Sequence, residues 1–598
     1  MVPVLAFYLL EFYEHNPFTE VRTEAQWFNI LLLELLAWGL FFLTKKAVYA
    51  LRVELIFTLI FGLVNHYVAE FRSTPFVPWD ILSAKTAASV AGNYDYTPPL
   101  RVIVVTVLFL VLCFTVRYLE FSCALRLPFR LIPAALFGMA LCLLVSALQN
   151  ESFQTRHYLY PFLFTPSYMT KVNGMLVTFS MNLEYIAVEK PQGYDAGEAQ
   201  KTLASYAKAK DTEDSGNDTE TDNGAGDAEE TGLPNIIVIM DEAFSDLSVL
   251  GNFMASEDPM PFVHSLQNGA DNTITGYLNV SVCGGNTANT EFEFLTGNTM
   301  AFLPNGSIPY QQYIKKETPS LAQYLSGLGY ETCGMHPYNA SGWDRERVYP
   351  LLGFSDMLFF DDFINKTFVR KYVSDESDFS NIIAQYEKKQ ENKPLFLFNV
   401  TMQNHGSYVD AYDNFTPDVT VQGTNSFVLS QYLSLVKKTD TALEELIRYF
   451  QSQKEKTVIV FFGDHQPADS VVSPVLALNG KDTSDPDDET GRLRYQVPYV
   501  IWANFGIDAG SGVDTSANYL AAHVLSAAGV PLSDYQNYLL ELEKTYPVVS
   551  ASRVVKENAQ GKWEETDRTS EKKGLLEYQR LQYYRLFDWK NETKQETK

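Results

Sequence analysis

A threonine stands where a Gly-rich turn meets a helix-compatible stretch: Gly284-Gly285-Asn286-Thr287-Ala288-Asn289-Thr290-Glu291-Phe292. The N-terminus of a helix points free N–H groups at anions and so favours phosphate. A threonine hydroxyl in that position attacks phosphorus only if a metal or a neighbouring base lowers its pKa. Two other segments offer such a group. Asn235-Ile236-Ile237-Val238-Ile239-Met240 runs into Asp241-Glu242, and Thr457-Val458-Ile459-Val460-Phe461-Phe462 runs into Gly463-Asp464-His465. Carboxylates and a histidine at the ends of parallel strands can converge on a divalent metal. Each piece alone has a plain reading, since Gly-Gly turns are common and a threonine after one is an ordinary N-cap. The combination points to metal-assisted attack on phosphorus.

The elements that must position these residues follow from the pattern. From Leu233 onward, short apolar runs alternate with helical stretches, as in an α/β fold. Candidate strands are Asn235–Met240, Thr332–His336, Leu395–Val400, Thr457–Phe462 and Val497–Ala503. The first four end on or just before polar residues: Glu242, His336, Asn404 with His405, and Asp464 with His465. Active sites of open α/β sheets lie at that edge. The spacing predicts helices over Ser516–Ala528 and Leu575–Tyr584, the second packed on the domain.

These residues resemble the lipoteichoic acid synthase family, membrane phosphoglycerol transferases of the alkaline phosphatase/sulfatase superfamily. The resemblance extends over most of the chain. It implies that Glu242 binds a metal at the end of the first catalytic strand, and that Thr287, in a segment resembling the family's Gly-Lys-Thr-Ser-Asp-Ala-Glu-Phe, is the nucleophile. It makes Gly463-Asp464-His465 a metal motif and His336, Trp343 and Arg345 a glycerol-phosphate pocket in the family's His-x6-Trp-x-Arg spacing. Asn404-His405 resembles the family's Asn-His loop. One divalent metal is then expected on Glu242, Thr287, Asp464 and His465. Three oxygen donors and one imidazole suit Mn²⁺, Mg²⁺ or Zn²⁺, and the resemblance puts Mn²⁺ first. Arg345 is suited to a phosphate oxygen through its planar fork, and Trp343 to a pocket wall. His336 and His405 are suited to hydrogen bonding or proton transfer.

The resemblance further implies that Thr287 takes glycerol phosphate from phosphatidylglycerol and passes it to a glycerol-phosphate polymer or a glycolipid. Two departures bear on the substrate. Asn286 stands where the family has lysine, and Asp241 before Glu242 is closer to the paired acids of sulfatases. A phosphoethanolamine transferase, a phosphodiesterase of the same superfamily and a non-catalytic membrane scaffold are the alternatives. Sulfate ester hydrolysis is disfavoured, because Cys283 is followed by Gly284-Gly285-Asn286-Thr287 rather than by the Pro and Arg of a formylglycine signal.

Across 598 residues the net charge is −26, with no dominant basic patch. That speaks against a nucleic-acid partner, whose phosphates are bound by Lys and Arg. The five cysteines form no framework; Cys283 and Cys333 stand in the polar half, either as a disulfide or as free thiols. Residues up to about 150 are strongly apolar. Trp27–Leu43, Leu55–Ala69, Val102–Val116 and Leu131–Leu148 each reach or approach the ~20 residues of a bilayer span with their flanks, and Val2–Leu10 is a shorter fifth. A cleavable signal peptide fits poorly, for want of a basic leading region. Lys45, Lys46 and Arg52 fall in one connection, and Arg117, Arg126 and Arg130 in another. Basic short loops stay in the cytoplasm, which puts everything after Leu148 outside the cell. Glu54, Asn65, His66 and Glu70, on or near Leu55–Ala69, are expected to face the protein interior.

The expected organisation is a transmembrane helical domain of about five spans over 1–150 and an interfacial helical linker over 151–208, in which Met175–Tyr185 reads as an amphipathic helix on the bilayer or against the outer domain. A disordered acidic spacer covers 209–232, an extracellular sulfatase-like domain with a mixed, mostly parallel sheet covers 233–555, and a charged tail with a short helix covers 556–598. Residues 484–489 read as an acidic loop. The expected location is the cell membrane, multi-pass, with the catalytic domain outside.

Overall fold

The computed structural model describes residues 1–72, 75–81, 96–160, 166–183, 188–208, 232–304, 307–483, 488–558, 560, 562–566 and 573–590. The acidic run 211–230 and residues 484–487 lie outside them. The chain divides into two compact units, with the boundary at Val188–Glu189.

The first unit is helical. Helices α1 (Val2–Glu11), α2 (Thr23–Thr44), α3 (Ala47–Arg72), α4 (Leu100–Thr115) and α5 (Leu127–Leu148) carry the five apolar segments. Among the described residues, four of these are long and apolar enough to cross a membrane; α1 is not. Its ten residues span about 15 Å at 1.5 Å per residue, half a hydrocarbon core. The two basic connections lie together. Lys46 and Ser122 form an antiparallel bridge, with Cys123 N donating to Lys45 O at 2.9 Å. Both therefore sit at one end of the bundle.

Three of the four polar residues expected to face inward do so, whereas Glu70, near the end of α3, is exposed. Glu54, Asn65 and His66 are buried, with His66 paired to Glu14. The segment Met175–Asn182 (α6) does not lie on a surface: Met175, Leu176, Val177 and Met181 belong to the core of this unit. Its N-terminus is held by two side chains of the first helices. Glu11 accepts from Met175 N at 2.7 Å, and Asn29 accepts from Val177 N at 3.0 Å. Gly174 leads into it with φ 79°, where a Cβ would meet Asn29 Nδ2 at 2.6 Å.

The second unit is an α/β domain with one eight-stranded sheet. In chain order its strands are β1 (Asn235–Asp241), β2 (Thr273–Asn279), β3 (Glu331–Met335), β4 (Asp356–Leu358), β5 (Leu395–Val400), β6 (Thr457–Gly463), β7 (Gln496–Ala503) and β8 (Thr515–Ser516). Their order across the sheet is β8-β2-β7-β6-β1-β5-β3-β4. Only β7 runs against its neighbours; every other pair is parallel. The five predicted strands are all present, shifted by a residue or less at each end. Every residue of β1, β5 and β6 is buried, as continuous β-branched and aromatic runs require when helices cover both faces. The strands that end in candidate site residues, β6, β1, β5 and β3, are consecutive in the sheet.

The helices that matter for the site are α7 (Ala196–Lys208), α8 (Thr287–Thr296), α9 (Arg345–Leu351), α10 (Phe427–Gln451), α11 (Ala517–Ala527), α12 (Asp534–Glu543) and α13 (Lys573–Tyr583). The last three share a tyrosine-rich core of Tyr519, Tyr535, Tyr538 and Tyr578, so the tail helix α13 packs into the domain. Cys283 and Cys333 are both free thiols.

Candidate active site

Residues 280–286 carry the chain from β2 into α8. Gly284 and Asn286 both have left-handed backbone, φ 72° and 68°. Glycine has no Cβ to clash there, and asparagine tolerates the conformation better than lysine. The asparagine at 286 thus suits the turn that delivers Thr287 as the first residue of α8. The threonine is buried, and its hydroxyl donates to Glu242 Oε2 at 3.2 Å. One turn on, Thr290 Oγ1 donates to Asp464 O at 2.8 Å and ties the helix start to the end of β6.

Glu242 and Asp464 arrive at the same level because Asp241 pairs with Gly463 in the β1–β6 register. Asp464 Oδ1 accepts from Ala243 N and His465 N, each at 2.7 Å. Its Oδ2 is buried without a partner. His465 Nδ1 lies 2.9 Å from Gln466 O, which fixes the proton on Nδ1 and leaves the Nε2 lone pair facing the site. That Nε2 is also buried and unpartnered, 3.2 Å from Asp464 Oδ2 and 3.7 Å from Glu242 Oε1. Ligand atoms of Glu242, Asp464 and His465 fall within 4.8 Å of one another, with the Thr287 hydroxyl against them.

Burial first, and the facing Asp464 second, push Glu242 well above the usual carboxylate range; burial likewise raises Asp464, with His465 opposing. Orphaned, convergent donors of this kind lack a positive charge, and their chemistry fits a divalent cation. Asp241, adjacent to Glu242, is not part of the group. Its oxygens accept from Asn404 Nδ2 at 2.8 Å and Thr401 Oγ1 at 3.0 Å, on the other side of the strand end. A sulfatase-like pair of acids on one ion is therefore not what Asp241-Glu242 forms here.

His336, at the end of β3, is buried with Nδ1 at 2.9 Å from Val400 O. Burial, then Arg345, holds it well below the usual histidine range, with His405 adding to the shift. His405 follows β5. Its Nδ1 contacts Gly406 O at 2.8 Å and the Tyr372 hydroxyl at 3.1 Å, and burial lowers it to about 4. Both imidazoles are neutral at physiological pH. Trp343 is half-buried on the turn two residues before Arg345, with φ 53°.

Arg345 differs from expectation. It is not a free fork: Nε and Nη2 donate to Glu291 Oε1 at 3.0 and 2.5 Å, both side chains being buried. Its remaining Nη1 makes one long bond, 3.4 Å to Gly342 O. Arg345 still lies close enough to the metal group to lower Glu242.

Sequence reasoning named Glu291 only as a letter of the threonine segment, and it missed Thr401, Arg370 and Tyr372. Arg370 donates to Ser407 O at 2.9 Å and to Gln403 O and His405 O at 2.7 Å, gripping the loop that carries His405. Its signal, a basic residue in a turn between Phe368–Val369 and Tyr372–Val373, is too common to stand out.

Residues 234–530 match the Sulfatase family model. A protein of Rhizobium meliloti (strain 1021) named for cyclic beta-1,2-glucan modification is 31% identical over 427 residues, 69% of this chain. The match spans 62% of that relative's length. The fold is also similar to two solved structures. One is the Streptococcus pyogenes phosphoglycerol transferase GacH in complex with sn-glycerol-1-phosphate, with TM-score 0.51, 21% identity, 66% of this chain and 95% of that one. The other is the Neisseria meningitidis integral membrane lipooligosaccharide phosphoethanolamine transferase A, EptA, with TM-score 0.51, 13% identity, 88% of this chain and 95% of that one. The latter likeness includes the layout of apolar N-terminal helices followed by an α/β domain.

Proposed function

Starting from a chain whose residues 234–530 form a sulfatase-family domain of the alkaline phosphatase superfamily, we propose a membrane transferase that moves glycerol phosphate from phosphatidylglycerol through Thr287. The observation that carries this reading is the buried Thr287 hydroxyl at a helix start, 3.2 Å from Glu242 and facing the orphaned atoms of Asp464 and His465. Glu242, Thr287, Asp464 and His465 would hold one divalent metal, Mn²⁺ first by family resemblance. When bound, it supplies Lewis acidity to the hydroxyl and to the phosphoryl oxygens.

Thr287 Oγ1 attacks phosphorus, and the bond to the diacylglycerol oxygen breaks. Diacylglycerol leaves with a proton, in balance with the one Thr287 gives up. The headgroup remains as glycerophospho-threonine. A hydroxyl of the acceptor then attacks phosphorus and releases Thr287. His405, neutral and fixed by Nδ1, accepts the proton of that incoming hydroxyl, and the departing Thr287 Oγ1 takes up a proton in balance, restoring the hydroxyl. His336 accepts a hydrogen bond from the glycerol, Trp343 bounds the pocket, and Arg345 offers Nη1 to a phosphate oxygen.

The acceptor is a glycerol-phosphate polymer or a sugar hydroxyl of a glycolipid; the 31%-identical relative, named for glucan modification, supports the sugar. The two basic connections at one end of the helical unit support an orientation with that end in the cytoplasm and the catalytic domain outside. The test is incubation of the purified full chain with headgroup-labelled phosphatidylglycerol and phosphatidylethanolamine, reading diacylglycerol release and the mass of the Thr287 peptide. A glycerophospho adduct on that peptide is expected. Faster release from phosphatidylethanolamine moves the donor, and no release from either lipid refutes the transferase.

A further inference from the structure

Two helices meet at one carboxylate. Thr287 and Glu291 are four residues apart on α8 and so share a face, one turn apart. Arg345 and Tyr349 have the same relation on α9. Glu291 Oε1 takes the Nε and Nη2 bonds of Arg345, while Oε2 accepts from Tyr349 at 2.9 Å and from Tyr310 at 3.3 Å. The Arg345 and Glu291 side chains are 2% and 0% exposed. Two consequences follow from the chemistry. The guanidinium cannot swing, because its Nε edge is committed to the helix that bears Thr287; the edge left over is the Nη1 side. The pair also has no net charge, so it attracts a doubly charged anion less than a lone guanidinium would in the same low-dielectric surroundings.

We propose that Glu291 is a positioning residue that aims Arg345 and cancels its charge, biasing the pocket toward a singly charged phosphodiester over a doubly charged phosphomonoester. This rests on the reading of Arg345 as the contact to the headgroup phosphate. It accounts for a donor pocket that accepts a lipid diester without being trapped by free glycerol phosphate.

The measurement is inhibition of diacylglycerol release by sn-glycerol phosphate and by glycerophosphoglycerol, using the full-length protein at about pH 8, where the monoester is close to a dianion. Wild type is expected to bind the diester more tightly. Glu291→Gln keeps acceptor and donor atoms for its neighbours but removes the negative charge. It is expected to tighten the monoester about tenfold relative to the diester, one added unit charge acting on one extra ligand charge. A general loosening of the site would move both inhibitors together and leave the ratio alone. An unchanged ratio in the folded variant overturns the proposal. Should that variant not fold, wild type decides: tighter binding of the monoester overturns it. Arg345→Lys separates the underlying reading. If both inhibitors bind that variant as they bind wild type, Arg345 does not touch the headgroup, and it is that reading that fails.

Discussion

The two buried charged groups around Thr287 are built in opposite ways. At Glu242, Asp464 and His465, Asp464 Oδ2 and His465 Nε2 have no partner, although both residues are almost completely buried. One turn down α8, Glu291, Arg345, Tyr349 and Tyr310 satisfy one another. Buried polar atoms without partners are expensive, so where several converge, something outside the chain is expected to complete them. Where they are mutually satisfied, the protein is holding its own parts in place. The contrast separates a site that receives a ligand from one that aims a side chain, within a single helix.

Breaking the first region is expected to have the largest effect. Thr287→Ala should lower diacylglycerol release by at least about a thousandfold and remove the covalent adduct, since a nucleophile has no substitute in the site. The melting temperature should stay near wild type. Retained turnover at the wild-type rate would exclude Thr287.

Removing the metal with a chelator should abolish turnover and lower the melting temperature, with both restored by Mn²⁺. The pH dependence has a definite sign. Without a cation, burial holds Glu242 and Asp464 above their ordinary values of 4.5 and 3.8. Their protonated forms favour the folded state below those values, and this stability is lost as pH rises through the raised folded values. Chelated protein should therefore lose stability as pH rises from about 4, whereas protein with Mn²⁺ should gain affinity for the ion over the same range. Thermal melts at several pH values, with and without Mn²⁺, check both slopes.

The second region should respond less steeply. Arg345→Lys cannot keep both bonds to Glu291 and a phosphate contact, because an ammonium lacks the planar fork. Loss of a charge-assisted hydrogen bond costs about 1.5–3 kcal/mol, or on the order of tenfold to a hundredfold in kcat/KM. Steady-state rates with phosphatidylglycerol check this. The smallest effect is expected at the turn that leads into α8. Asn286→Ala puts at φ 68° a residue that tolerates left-handed backbone less well than asparagine, and should cost about 1 kcal/mol. Asn286→Gly should recover most of that in a chemical denaturation curve.

Much of the scaffold was legible because it is written in local pattern. Strands β1, β5 and β6 are unbroken apolar runs, a composition that forces burial on both faces, and their polar ends locate the active edge. Strand β2 was not legible. Thr273-Ile274-Thr275-Gly276-Tyr277-Leu278-Asn279 is half polar, and it is a strand because it pairs antiparallel with β7. The burial of Met175–Asn182 was missed for the same kind of reason: its partners, Glu11 and Asn29, come from 164 and 148 residues earlier in the chain.

The candidate site divides along the same line. Residue types and their order pointed to Thr287, Glu242, Asp464 and His465, since a hydroxyl at a helix start and acids at strand ends are local facts. Which acid faces the threonine was not a local fact. Asp241 and Glu242 are adjacent and chemically alike, yet one is satisfied by Thr401, 160 residues away, and by Asn404, 163 away. Arg345 was legible as an anion-binding type, but its direction and net charge come from Glu291, 54 residues earlier. Side-chain identity and periodicity are properties of a short stretch of chain. Hydrogen-bond satisfaction, and with it the distinction between a group that waits for a ligand and one that supports a neighbour, depends on which distant strands and helices pack together.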